Sequence, residues 1–271
     1  MPTRRVRPPT NPSSSEGARR RRPVGVVLCI VGTPRPELAM TADIAIASWV
    51  DPRHLTRAAG LGYRAAYAAH PARAVVIRDL LQAPIAERLS RFFAQDAEYT
   101  TGFGLKGRYG FVAEAEWREA PEADRFFRYA NLLQARGKAV ESPDFATFLA
   151  VLHALESPDA RAFFQAVSGL SLGAVTTAAR RMAAGDSLVE HTDDIGDRAL
   201  SFVLYLTPGW EPAWGGELQL DDGAGAYAHR VEPVFNSLVL FDARTWHRVA
   251  PFTDALGARA RYTLGGWFLA A

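Results

Sequence analysis

The 271 residues predict one α+β domain in which a helical first half supports a β-rich second half, and three observations carry that reading. Stretches with apolar residues at helical spacing, opened by capping residues, recur between residues 52 and 169. From residue 174 onward the chain turns to short β-prone runs separated by Gly, Pro, Asp and Asn. No linker or internal repeat divides the two halves, and a 48% apolar content suffices for one core. Strands that follow one another without intervening helices predict an antiparallel sandwich or barrel.

Residues 1–40 form a basic tail expected to be disordered, with Met40 as an alternative start and a targeting segment as a second alternative. Seven arginines (Arg4, Arg5, Arg7, Arg19, Arg20, Arg21 and Arg22) face one acid, Glu16, in its first 22 residues, so the body is slightly acidic. The domain is expected over 41–271, with helical support at 41–170 and a β core at 171–271. Asp51 caps a helix over Pro52–Ala69, with proline at its first position. "AVVIRDLL" at 74–81 is a strand, "APIAERLSRFFAQ" a helix, and "YTTGFGLKGRYGF" at 99–111 a glycine-rich, mobile loop. Three further helices are predicted: "EADRFFRYANLLQARG" at 122–137, "PDFATFLAVLHAL" behind Ser142, and the segment behind Ser157. The strands are "AVTTAARRM", "SLVEHTD", "RALSFVLYL", "GELQL", "AYAHRV", "SLVLFD", "WHRVAPF" and "RYTLGGWFL".

Composition removes several classes of function. The body carries no basic stripe, which argues against nucleic acid, and no apolar run reaches the length of a membrane span. Cys29 is the only cysteine, so no intramolecular disulfide or cysteine-rich zinc site exists, and a reducing, cytoplasmic location is expected.

The chemistry gathers around "EHTDDIGDR" at 190–198. His191 and Asp193 stand two residues apart, and in extended backbone both point to one side. His247, beside another strand-like run, is the third candidate ligand. Two imidazoles and a carboxylate suit non-heme Fe(II) with open positions, and a tetrahedral zinc hydrolase uses a similar set. Arg261 separates the two: a guanidinium on a buried strand needs an anion, and its planar fork suits a carboxylate. Thr263 on the same strand face and Tyr205 on a neighbouring strand add hydroxyl donors to that anion.

The order H-T-D, R-x-LSFVLYL, WGGEL, P-x-FNSLVLF, H-x-V and R-x-T-x-x-GWF resembles the 2-oxoglutarate/Fe(II)-dependent dioxygenase superfamily, in its prolyl-4-hydroxylase-like branch. The likeness is strong over 181–268 and weaker upstream. It implies a double-stranded β-helix, the cupin-like jelly roll, with supporting helices. By that resemblance His191, Asp193 and His247 hold iron, while Arg261, Thr263 and Tyr205 bind the distal carboxylate of 2-oxoglutarate. The implied oxidoreductase couples O2 and 2-oxoglutarate to hydroxylation of an unactivated C–H bond, with succinate and CO2 as co-products and ascorbate as a candidate accessory. Catalysis needs no protein group beyond the iron centre. Asp193 argues against halogenation, since related halogenases lack that carboxylate. Eukaryotic members carry a second, degenerate β-helix domain; with this chain closing at Ala271, their protein substrate is not expected to transfer. The substrate is a prolyl residue of a protein or peptide, or a free amino acid or natural-product intermediate. The alternative is a non-catalytic metal-binding or scaffold protein that keeps the fold.

Arg198, Trp210 and Trp214 are the candidate substrate contacts, with Trp246 also near the mouth, although aromatics beside sheets are more often packing. Gly215 and Gly216 supply a turn, and Trp267 is read as core. His54, His70, His153 and His229 have no partner at useful spacing and are expected on helix or strand surfaces.

Overall fold

The computed structural model describes residues 45–133 and 142–271, so the basic tail lies outside the described residues. In chain order the elements are α1 (Arg57–Ala69), β1 (Ala74–Ile77), α2 (Ala83–Arg91), β2 (Tyr99–Leu105), α3 (Glu114–Glu119), β3 (Arg125–Leu132), α4 (Pro143–Leu155) and α5 (Pro158–Ser168). Then follow β4 (Leu172–Met182), β5 (Ser187–Leu188), β6 (Arg198–Tyr205), β7 (Leu218–Leu220), β8 (His229–Val231), β9 (Ser237–Asp242), β10 (His247–Val249) and β11 (Arg261–Ala270).

The caps act where the side chains predict them. Ser142 Oγ accepts the Asp144 and Phe145 N–H groups, and Ser157 Oγ accepts that of Ala160. The helix expected from Pro52 is split. Asp51 caps only a short 3-10 turn over Pro52–Leu55, and Thr56, in extended backbone, accepts the Ala59 N–H and starts α1 afresh. Two good caps in quick succession gave two elements.

Two expectations fail for one reason. Residues 99–105 are a strand, and 125–132 are a strand where a helix was expected; 134–137 of that expected helix lie outside the described residues. In "RFFRYANL" the aromatic residues suit a pleated surface, and Phe127 and Tyr129 bury the same face two residues apart. The glycines opposite make that possible: Gly104 pairs with Phe127 and Gly102 with Tyr129, and a Cβ on Gly104 would lie 2.2 Å from the Phe127 ring. Glycine there marks close approach. Of the expected strand "SLVEHTD" only Ser187–Leu188 forms a ladder, against β3, and the chain bends at Glu190. Helix α3 was not foreseen.

One sheet runs β1-β9-β6-β11-β4-β3-β2, with β5 also pairing β3; a second runs β10-β7-β8. A bridge between His191 and His247 adds the residue-191 segment to the edge of the second sheet. The two sheets face each other, since Tyr205, Val239 and Phe241 of the first cluster with Leu218, Leu220 and Val231 of the second. Such facing sheets, threaded in this order, are the double-stranded β-helix.

The outer face of the large sheet packs on the helices: Phe202, Leu204, Leu240 and Phe268 share one core with Phe148, Phe163 and Phe164. Burying each such side chain contributes roughly 1.5–3 kcal/mol. Asn236, at φ +57° just before β9, ties in the edge of this layer. Its amide accepts the Leu81 N–H and donates to the Leu81 carbonyl, both at 2.9 Å. Among the described residues no helix is long and apolar enough to cross a membrane.

Candidate active site

Inside the β-helix lies a cavity of about 230 Å³ whose lining includes His191, Asp193, His247, Tyr205, Arg261 and Thr263. Backbone pairing brings the two histidines together: the N–H of each donates to the carbonyl of the other, at 2.9 and 2.8 Å. The Asp193 N–H reaches the Ala243 carbonyl at 2.8 Å, which fixes the third member. One ligand atom from each of the three falls within 4.8 Å of the other two.

Both imidazoles have their tautomer set by the backbone. Nδ1 of His191 meets the Val189 carbonyl and Nδ1 of His247 the Thr245 carbonyl, each at 2.9 Å. A carbonyl only accepts, so Nδ1 carries the proton and Nε2 presents its lone pair. Those Nε2 atoms approach the Asp193 oxygens at 3.8 and 3.5 Å. Burial, reinforced by the neighbouring His247, pushes His191 down to about 3, so it is neutral near pH 7. For Asp193 burial acts upward, but the two histidines and hydrogen bonds from Ser201 and Trp267 outweigh it and hold the carboxyl below its usual range. Two imidazole Nε2 atoms converging on a carboxylate are the donor set of a divalent cation.

At the other end, Arg261 is 5% exposed and short of partners. Its Nη1 donates to the Gly216 carbonyl, its Nη2 meets the Met182 Sδ at 2.9 Å, and its Nε is buried with no hydrogen-bond partner. A thioether is a weak acceptor, and no described residue forms an ion pair with this guanidinium. Burial lowers its pKa. A buried, incompletely bonded cation is costly without an anion, so this end of the cavity fits a carboxylate. Thr263 and Tyr205 stand opposite each other in register, and the Arg261 guanidinium lies 5.8 Å from the Tyr205 ring centre. Burial pushes the Tyr205 phenol up to about 12, keeping it a donor.

The substrate candidates separate. Arg198 lines the cavity, its guanidinium 3.7 Å over the Trp267 ring. Trp210 and Trp214 are not among the lining residues; they pack edge to face at 5.1 Å, and Trp210 Nε1 donates to the Gly215 carbonyl. They brace the turn whose Gly216 carbonyl meets Arg261. Gly216 has φ +73°, and a Cβ there would lie 2.3 Å from the Phe252 ring. Trp246 is half exposed and also outside the lining.

Trp267, expected to be core, is a cavity residue that bonds Asp193. Ser201, whose hydroxyl donates to Asp193 at 2.7 Å, and Met182 were missed. Strand parity offered a signal for both, as Ser201 is four residues from Tyr205 and Met182 ends a predicted strand. The other histidines are less idle than expected: His54 is buried and bonded to the Tyr63 hydroxyl at 2.6 Å, and the His70 and His229 rings lie 4.5 Å apart.

Comparison with known proteins agrees with this geometry. Residues 177–269 match the model of the 2OG-Fe(II) oxygenase superfamily. The chain is 33% identical over 90 residues to prolyl 3-hydroxylase OGFOD1 of Xenopus laevis, covering 31% of this chain and 17% of that one. It is 30% identical over 128 residues to prolyl 3,4-dihydroxylase OGFOD1 of Ostreococcus tauri, covering 42% and 24%. The matches thus span about a fifth of the length of these relatives. Among solved structures, a Pseudomonas putida prolyl-4-hydroxylase shares the fold at TM-score 0.53 and 23% identity, covering 78% of this chain and 99% of that one. A Trichoplax adhaerens prolyl hydroxylase, in complex with a hypoxia inducible factor peptide, does so at 0.54 and 14%, covering 80% and 92%.

Proposed function

We propose that this protein is an Fe(II)- and 2-oxoglutarate-dependent dioxygenase that hydroxylates an unactivated C–H bond and releases succinate and CO2. The observation that carries the reading is the sharing of one cavity by a buried His–Asp–His triad and a buried guanidinium whose Nε lacks a partner. His191, Asp193 and His247 hold the metal, with Nε2 as the donor of each imidazole. When bound, Fe(II) supplies the redox capacity to use O2 on a C–H bond. Arg261 takes the distal carboxylate of 2-oxoglutarate, and Thr263 and Tyr205 support it with hydroxyl groups. Met182 lies against the guanidinium, and Val203 and Phe241 also line the cavity; such apolar walls strengthen every charge-assisted contact inside it. Ser201 and Trp267 hold Asp193 ionised and oriented. Arg198 faces the primary substrate.

That substrate is a prolyl residue of a peptide or protein, or a free amino acid or related intermediate. The prolyl hydroxylase relatives and the cavity's aromatic rim, where Tyr109 and Phe111 are exposed, support the first form. The single cysteine suits a reducing compartment, and we place the activity in the cytoplasm; secretion by the native cell would contradict this. The deciding experiment incubates the iron-loaded protein with 2-oxoglutarate, O2 and native cell extract, and measures succinate together with a +16 Da product. Succinate that depends on iron and rises with extract supports the reading. A protein that neither binds 2-oxoglutarate nor forms succinate refutes it.

A further inference from the structure

Charge balance in the cavity leads further than the triad and Arg261. Among the described residues its lining holds three guanidiniums, Arg180, Arg198 and Arg261, against one carboxylate, Asp193. A divalent metal and a doubly charged keto-diacid cancel each other. Asp193 offsets one guanidinium, so among the lining groups of the loaded site two positive charges keep no counter-charge.

Arg180 is the less expected of the pair left over. It lies on β4 opposite Thr263 of β11 and next to Asn131 of β3, in the row that also contains Tyr205. Its guanidinium stands 4.9 Å from the Tyr129 ring centre and 5.5 Å from that of Trp267, and its Nε is buried without a hydrogen-bond partner. No described residue hydrogen-bonds or forms an ion pair with its guanidinium, which lines the same cavity as His191 and Arg261. Arg198 approaches the same Trp267 from β6, on the other side of β11. Stacking on rings holds the two guanidiniums in place but leaves their in-plane N–H groups free.

We propose that Arg180, together with Arg198, forms an anion-binding subsite beside Trp267 that takes a carboxylate of the primary substrate. This rests on the oxygenase reading and narrows its substrate class to molecules carrying a carboxylate near the oxidised C–H bond. A free amino acid and a peptide with an acidic or C-terminal carboxylate share that chemistry.

The test uses the full chain loaded with Mn(II) and saturated with 2-oxoglutarate, after titrations that establish binding of both. Acetate, benzoate and L-proline are each compared with the matching amide by paramagnetic relaxation of the probe protons, which reports closeness to the metal. N-acetyl-prolyl-glutamate against N-acetyl-prolyl-glutamine extends the comparison to peptides. The expected result is relaxation of at least one acid at least about tenfold stronger than of its amide. Arg180→Gln should weaken that signal about tenfold while 2-oxoglutarate affinity stays within about threefold, and Arg180→Lys should restore part of it. A free-acid signal without a peptide signal assigns the small-molecule source, and the reverse assigns the peptide; either supports the subsite. Equal relaxation of acids and amides, or no relaxation at all, overturns it. Loss of 2-oxoglutarate affinity in Arg180→Gln also overturns it, because Arg180 would then serve the co-substrate. A wild type that binds neither Mn(II) nor 2-oxoglutarate removes the oxygenase reading itself, and the subsite with it.

Discussion

The two faces of the central strands do opposite work with the same backbone. Toward the helices, β6, β9 and β11 present Leu200, Phe202, Leu204, Leu238, Leu240, Leu264 and Phe268, all buried in one apolar core. Toward the cavity the same strands present Ser201, Tyr205, Phe241, Arg261, Thr263 and Trp267. Adjacent residues such as Leu204 and Tyr205 differ only in which way the pleat turns them. The helix face holds apolar side chains that need no partner. The cavity face carries polar groups left incomplete, among them the Arg261 and Arg180 Nε atoms. Stability is stored on one face so that the other can bear unfavourable chemistry.

Substitutions should separate the faces. The largest effect is expected from His247→Ala, which should remove metal retention and lower turnover by at least about 10³-fold, roughly 4 kcal/mol. Metal content and succinate formation measure it, and full activity would show that the ligand lies elsewhere. Phe268→Ala, on the opposite face, should destabilise the protein by about 3–5 kcal/mol in denaturant unfolding. Metal affinity of the folded variant should stay at the wild-type value, and a joint loss would mean that the faces are not separable.

Arg261→Met sharpens the comparison. It should raise the 2-oxoglutarate requirement by about 100-fold through loss of a charge-assisted pair, yet leave the ligand-free protein as stable as wild type or more so. The second part follows because a buried, incompletely bonded charge is replaced by an apolar chain. Lower stability of the ligand-free variant would show that the guanidinium is already satisfied without co-substrate.

A further expected effect is a slope with pH. His191 is held near 3 in the fold, against about 6.5 unfolded, so between those values the unfolded chain binds a proton that the native state refuses. The metal-free protein should therefore be fully stable above pH 6.5 and lose stability as pH falls toward 3. The lowered Asp193 carboxyl acts in the same direction at the acid end. His191→Gln should flatten the slope, and an unchanged slope would place its origin in other groups.

Much of the site was legible because its residues announce themselves in extended segments: His191 and Asp193 two apart, and Arg261 and Thr263 two apart, each pair on one side of its segment. Helices α4 and α5 were legible from Ser142 and Ser157, whose caps act locally. "RFFRYANL" and the glycine-rich stretch before it were misread for a non-local reason. Glycine looks like a loop until the facing aromatic ring, more than twenty residues away in the chain, is known to need its space.

By itself, then, the sequence determined the α+β class, the β-rich second half, and the candidate trio and candidate basic residue that the fold gathers in one cavity. These depend on side-chain type and on the twofold period of a strand. Only the tertiary structure decided that β2 and β3 extend the sheet, that Trp267 and Ser201 hold Asp193, that Trp210 and Trp214 stand outside the cavity, and that Arg180 faces into it. Those outcomes depend on the register between distant strands, which sets the neighbours that each residue meets and is encoded in no single segment of the chain.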